Sequence, residues 1–262
     1  MAVVGERKSR TATDGTRNVA LGEEFARTGA WLFRWRSYLP LFFLPLFLYA
    51  LSDFSNRSVD DSLGANWEIF CVLLSFSGIL VRALVVGQTP HRTSGRNTME
   101  QVADKLNTTG LYSVVRHPLY LGNFLSWLGV AMFTQSPLVV LVSVLAFALY
   151  YERIMFAEER FLAGTFHSEF HEWARRTPAF FPRLRGWKPS TIPFSWKLVL
   201  RREYSGMFAI VCIFTFLHLM RGWFERGWWR LDLGWAVFLA VGTAVYVGLR
   251  WAKKSGKLPL PR

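Results

Sequence analysis

Two short clusters hold most of the residues that could do chemistry. The first is SVVRHPLYLGN (113–123), in which Arg116, His117 and Pro118 stand directly before an apolar run, with Tyr120 and Gly122 just inside it. Proline suits the first turn of a helix, where its missing N–H would have had no partner. A helix start also presents free N–H groups and the positive end of the dipole. With Arg116 and His117 beside it, that end is suited to a carboxylate or a phosphate. The cationic flank of a membrane span has the same composition, so the tripeptide alone leaves both readings open.

The second cluster is YERIMFAEERFL (151–162). Neighbouring residues on a helix point about 100° apart. One of Glu158 and Glu159 can therefore face water while the other faces inward, where a carboxylate would bind an ammonium or a ribose diol. Glu152 and Arg153 lie deeper, at a level where ionisable side chains mark a polar cavity or pair with a neighbour. His167 and His171 share a helix face, but HSEFH lacks the HExxH pattern and a third ligand, so no metal is expected. LNTTGLYS (106–113) reads as a turn into the following span. Its Tyr112 could pack on a flat ligand or serve as an interfacial anchor.

These clusters need a membrane scaffold to position them. The chain has 262 residues, 52 % of them hydrophobic, and the apolar residues fall in long blocks separated by basic segments. That is the pattern of an all-α polytopic transmembrane bundle. Six spans are expected, near Tyr38–Leu51, Trp67–Gly87, Leu119–Thr134, Pro137–Phe156, Ser205–Leu219 and Leu233–Trp251. Of the 31 Lys and Arg, 25 fall in alternate connections on one side, four on the other, and two (Arg82 and Arg153) within spans. The positive-inside rule then puts both termini in the cytoplasm, most simply of a bacterial inner (plasma) membrane. The net charge of +13 is mostly this topology signal, and it leaves no soluble basic stripe of the kind that binds nucleic acid. Cys71 and Cys212 sit in apolar blocks and read as small buried hydrophobes.

The turn TQSP (134–137) is short enough to make spans three and four a tight antiparallel hairpin. Both clusters then emerge at the same end of it. Beyond Glu159, the apolar residues Phe161, Leu162, Phe166, Phe170 and Trp173 follow helical spacing between charges. That predicts an amphipathic helix capping the cytoplasmic surface and ending at Pro178. The expected organisation is a mobile segment over 1–30, two spans over 31–94, a core over 95–184, and a linker with two further spans over 185–262.

GLYSVVRHPLYLG (110–122), the hairpin, and EERFLAGTFHSEFHEWARRTPAFFP (158–182) together resemble one family. It is the integral-membrane methyltransferases typified by isoprenylcysteine carboxyl methyltransferase and phosphatidylethanolamine N-methyltransferase. The alternation over 104–112 also looks like a bacterial branch that includes enzymes methylating a lipid A phosphate. The resemblance covers roughly residues 95–182 and implies S-adenosylmethionine bound at the cytoplasmic side, with a lipid or lipidated acceptor entering from the membrane. Aligned on the motifs, cofactor contacts fall on Lys105, Leu106, Asn107, Tyr112, His117, Pro118, Leu119, Tyr120 and Glu158. Three departures stand out. The family's Phe-Gly after EExxL is Phe166–His167, two later tyrosines are Phe170 and Trp173, and an arginine expected four residues before the binding glutamate is Ile154, with Arg153 beside it.

Methyl transfer from a sulfonium is an in-line displacement that rests on positioning and electrostatics. An anionic phosphate or carboxylate acceptor needs no general base. An amine must lose a proton, for which Glu152 or Glu159 are the candidates. On this reading Arg116 helps hold the donor's carboxylate, and Arg153 is expected to hold an anionic headgroup beside the donor. Two other classes remain in play: NADPH-dependent membrane reductases of related fold, and a non-enzymatic transporter or scaffold. The latter predicts polar residues through the middle of several spans, whereas the sequence places polarity mainly at one surface.

Overall fold

The computed structural model describes residues 21–35, 39–54, 61–88 and 105–258. Among these the chain is all helical: α1 (Leu21–Trp35), α2 (Leu44–Phe54), α3 (Asp61–Val86), α4 (Pro118–Phe133), α5 (Pro137–Arg176), α6 (Trp196–Arg226) and α7 (Leu233–Lys254). Short 3-10 turns precede α2 (Leu39–Phe43) and α4 (Gly110–Ser113). Four helices (Gly64–Val86 within α3, then α5, α6 and α7) are long and apolar enough to cross a membrane; the apolar helices Leu41–Asp53 and Pro118–Phe133 are shorter.

Lipid is as apolar as leucine, so helices in a membrane associate through close packing and polar contacts. The α3–α4 pair shows both. Ser75 Oγ donates to the Ser126 carbonyl (2.8 Å), and Ser126 Oγ donates back to that of Ser75 (3.0 Å). A side chain at Gly122 would meet the Arg82 Cγ at 2.6 Å and the Gly78 carbonyl at 2.7 Å, so the glycine after the RHPLYL run lets α3 come close. Phe47 and Leu51 of α2, Phe133 of α4, and Phe214 and Leu217 of α6 close the main apolar core.

α4 and α5 form the expected hairpin across Thr134–Ser136, with Gln135 at a left-handed φ of 53° and Pro137 opening α5. α4 rises only about 24 Å, less than the ~30 Å hydrocarbon slab. Its mouth is therefore recessed beside α5, which climbs about 45 Å before breaking at His167. There φ is 44° and ψ −115°.

Three expectations change. Residues 21–30 were expected in a mobile segment, yet they form most of α1, an amphipathic helix packed antiparallel on α5. A side chain at Gly29 would overlap the Arg153 carbonyl at 2.1 Å, which explains a glycine in mid-helix. Residues 1–20 lie outside the described residues. The cytoplasmic amphipathic helix is not a separate element: Glu158–Phe166 continue α5, and only the part after His167 turns away. Polarity also sits towards both ends of the bundle. Arg82 pairs with Glu203 near one end, and Glu68 with Arg221 near the other.

Candidate active site at the mouth of the hairpin

The hairpin brings together clusters about 40 residues apart in sequence. His117, only 4 % exposed, has Nε2 2.8 Å from Glu159 Oε1 and Nδ1 3.5 Å from Glu158 Oε2. Arg116 Nε lies 2.9 Å from Glu159 Oε1. The contact is an ion pair off the line of the N–H, and Nε is buried against it. Arg116 also donates through a terminal nitrogen to the Ala174 carbonyl (2.9 Å), which ties the mouth of α4 to the end of α5. Tyr120 Oη donates to Glu158 Oε2 at 2.9 Å, and its ring stacks on His117 at 5.5 Å. The spacing explains the convergence: 117 and 120 lie one turn apart on α4, and adjacent Glu158 and Glu159 straddle the facing edge of α5.

Electrostatics follow from this packing. Burial of His117 opposes its charge, but hydrogen bonds to Glu158 and Glu159, backed by their negative charges, outweigh it and hold the imidazole pKa above its ordinary value. Burial pushes the Tyr112 phenol up, and the Glu158 charge adds to the effect.

Around the start of α4, Tyr120 and Leu121 N–H donate to the His117 carbonyl (3.1 and 3.2 Å), and the two residues before the helix are bound to the loop after α5. Arg116 N–H donates to the Pro178 carbonyl (2.8 Å) and His117 N–H to that of Ala179 (3.1 Å). The loop after α5 clasps the motif further: Arg183 N–H reaches the Val114 carbonyl (3.0 Å), and Gly110 N–H that of Lys188 (2.9 Å). The same loop sends Phe180 against Phe124 and Phe147, beneath Tyr151.

The remaining candidates are dispersed around this centre. Pro118 is buried as the first residue of α4, and Leu119 half-buried beside it. Leu106 is buried, Lys105 is exposed, and Asn107 Oδ1 caps the turn by accepting from Thr109 N–H (3.3 Å). Tyr112 receives Trp173 Nε1–H on its carbonyl at 2.9 Å, and Phe170 packs against Trp173, so both aromatic departures from the family pattern hold this turn in place. Arg153 is not in the cluster. It lies 4.3 Å over the Phe25 ring and reaches Thr28 Oγ1 (3.3 Å), so it faces α1. Tyr151, Ile154 and Glu158 form the inward face of α5, and position 153 is rotated off it. Ile154, where the family pattern expects an arginine, is wholly buried with Tyr120 and Tyr151.

Sequence reasoning missed the support behind Tyr120. Tyr151 packs 4.9 Å from it and accepts a hydrogen bond from Asn123 Nδ2 (3.0 Å). Asn123 Oδ1 accepts from Arg82 (2.7 Å), which forms a two-pronged pair with buried Glu203 (2.8 and 2.9 Å). An Arg within a span was the available signal; its partner, 121 residues away, was not legible.

Comparison with known proteins fits this geometry. Residues 68–169 match the phospholipid methyltransferase family. That segment contains Arg82, Arg116, His117, Tyr120, Glu158 and Glu159. The chain is 44 % identical over 119 residues to the cobalt-zinc-cadmium resistance protein CzcN of Cupriavidus metallidurans, covering 43 % of this chain and 55 % of that one. It is 46 % identical over 91 residues to the nickel-cobalt-cadmium resistance protein NccN of Alcaligenes xylosoxydans xylosoxydans, covering 35 % and 40 %. The alignments thus span about half the length of these relatives or less. No solved structure matches significantly.

Proposed function

We propose that the chain is an S-adenosylmethionine-dependent methyltransferase whose acceptor is a lipid or lipidated molecule, most simply methylated on an anionic phosphate or carboxylate oxygen. The observation that carries this reading is the cluster of Arg116, His117, Tyr120, Glu158 and Glu159 at a recessed helix mouth inside the family segment. Its donor set fits the cofactor. The Glu158 and Glu159 carboxylates, 34 % and 26 % exposed, suit an ammonium and a ribose diol. The partly exposed Arg116 guanidinium suits a carboxylate, and Tyr112 and Tyr120 supply flat surfaces. When bound, the cofactor supplies an electrophilic methyl group. The chain's own residues bind and orient: Tyr120 and His117 fix the Glu158 and Glu159 carboxylates, Arg116 offers positive charge, and the clasp over 178–188 limits water. An oxyanion acceptor carries its own nucleophilic electron pair and asks for no base.

Membranes supplied with methyl-labelled S-adenosylmethionine test the reading. Label should enter the lipid extract with wild-type chain and be lost with Glu159→Gln. Label in protein or soluble fractions alone would refute the lipid acceptor. We also place both termini in the cytoplasm, on the charge distribution. In a cysteine-free background, Ser136→Cys should react with an impermeant reagent from outside and Ser190→Cys should not; the reverse pattern would invert the topology. The relatives' names extend the reading to a role in resistance to transition-metal cations. A deletion strain should then grow less well on cobalt, zinc or cadmium, and unchanged growth would remove that extension.

A further inference from the structure

The cytoplasmic-side ends of α6 and α7, as oriented above, enclose a second polar feature outside the family segment. A cleft of about 440 Å³ is lined by Arg201 and Tyr204 of α6 and Arg250, Lys253 and Lys254 of α7. Its four cations have no carboxylate among the lining residues. The arginines inside the bundle differ, for Arg82, Arg116 and Arg221 each face a glutamate. Glu203, next in sequence to Tyr204, is turned away towards Arg82.

The cleft is built rather than incidental. Tyr204 and Tyr246 stack across the two helices at 5.5 Å, and Lys253 Nζ lies 5.2 Å over the Tyr204 ring. Arg250 donates to Tyr246 Oη at 2.7 Å, and Arg201 donates to the Leu258 carbonyl, which brings the turn after α7 against the cleft. Arg250, Lys253 and Lys254 recur at spacings of three and four, so they share a face.

Its surroundings say what it would hold. α7 is long and apolar enough to span, and Val237, Val241 and Val245 along it are 52 %, 57 % and 45 % exposed. Trp251, 59 % exposed beside Arg250, stands where an interfacial aromatic marks headgroup depth. An apolar wall leading to a multiply cationic cleft at headgroup level matches a phosphate ester carrying acyl chains. We propose that α6 and α7 form a binding site for the phosphate headgroup of an anionic phospholipid. This site does not depend on the methyltransferase reading.

Native mass spectrometry of the full chain, released from detergent micelles containing phosphatidylglycerol or phosphatidylcholine, tests it. Wild-type chain should retain phosphatidylglycerol in preference. The double substitution Arg250→Gln with Lys253→Gln should weaken that retention roughly 30-fold, at ~1 kcal/mol per cation near an anionic headgroup, and leave phosphatidylcholine unchanged. Circular dichroism checks that the variant keeps its helices. A control removing two loop cations, Arg185→Gln with Lys188→Gln, should change retention little. Wild-type retention in the α7 variant, or an equal loss in the loop control, would overturn the site. Displacement of the lipid by equimolar glycerol phosphate would make the ligand a soluble phosphate and overturn the lipid assignment.

Discussion

The two ends of the bundle hold clusters of nearly the same composition. At the mouth of the hairpin, Arg116, His117, Glu158 and Glu159 meet, with Tyr120 stacked on the histidine. At the far end, Arg221, His218, Glu68 and Asp232 meet, with Trp235 stacked on the histidine at 4.8 Å. The difference lies in how the charges are used. Arg221 donates to Glu68 Oε1 and to the Phe133 carbonyl, both at 2.7 Å, and lies over the Phe133 ring. Glu68 also accepts from Trp235 Nε1 (3.3 Å), so one pair fastens α3, α4, α6 and α7 together. At the hairpin mouth Glu158 and Glu159 are 34 % and 26 % exposed, against 13 % for Glu68, while Asp232 at the rim of the far cluster is 44 % exposed. An Arg–His–carboxylate set is therefore a fastening in one place and a candidate binding site in the other. The openness of the carboxylate that each arginine holds, 26 % for Glu159 against 13 % for Glu68, separates them, and composition does not.

The comparison breaks most visibly by removing each arginine. Arg221→Leu strands Glu68 in the bundle and should cost about 3–5 kcal/mol, read as a lower unfolding midpoint in detergent. Arg116→Leu leaves Glu159 paired with His117 and partly wetted, so its stability loss should be clearly smaller while methyl transfer falls. Equal destabilisation would make both clusters structural.

Glu158→Gln tests the open end alone. It removes a charge that Tyr120 and His117 both address, and should weaken donor binding by roughly 1.5–3 kcal/mol, the range for hydrogen bonds to charged groups. Equilibrium dialysis with labelled donor reads this, and unchanged affinity in a folded variant removes Glu158 from the site.

His167 gives a smaller effect near the same end. It holds φ at 44° and ψ at −115° where α5 breaks, a sparsely populated backbone conformation costing a non-glycine residue about 1–3 kcal/mol. His167→Gly should therefore raise the unfolding midpoint, and a drop would show that the imidazole makes up the strain.

The smallest effect concerns pH. The folded-state pKa of His117 is raised, so its contribution to stability is fully present below the unfolded value of about 6.5 and is lost as pH rises through the folded value. A His117→Gln variant should flatten the fall in unfolding midpoint above that range, and an unchanged profile would move the titration elsewhere.

Much of this was legible in sequence for physical reasons. Spans α3, α5 and α7 announce themselves by apolar length, and TQSP by its shortness, so the meeting of RHP with EE follows from connectivity. α1 escaped because it is short and its apolar face is interleaved with Glu23, Glu24 and Arg27, a pattern that reads as polar until α5 is there to cover it. The break at His167 escaped because FHSEFHEW has helical spacing throughout; the signal was the resemblance, which expects glycine at that place. Arg153 was expected to hold a headgroup because its partner could not be read from sequence, and that partner proved to be α1. Long-range pairs such as Arg82–Glu203 leave no local trace at all.

The central claim is that the hairpin mouth, and no other cluster, binds the methyl donor. Isothermal titration calorimetry of purified wild-type, Glu158→Gln and Arg221→Leu chains with S-adenosylmethionine, and with NADPH in parallel, tests it most directly. The account predicts saturable heat with S-adenosylmethionine and none with NADPH. Affinity should fall with Glu158→Gln and stay near wild type in folded Arg221→Leu. Saturable binding of NADPH with no heat from S-adenosylmethionine would contradict it.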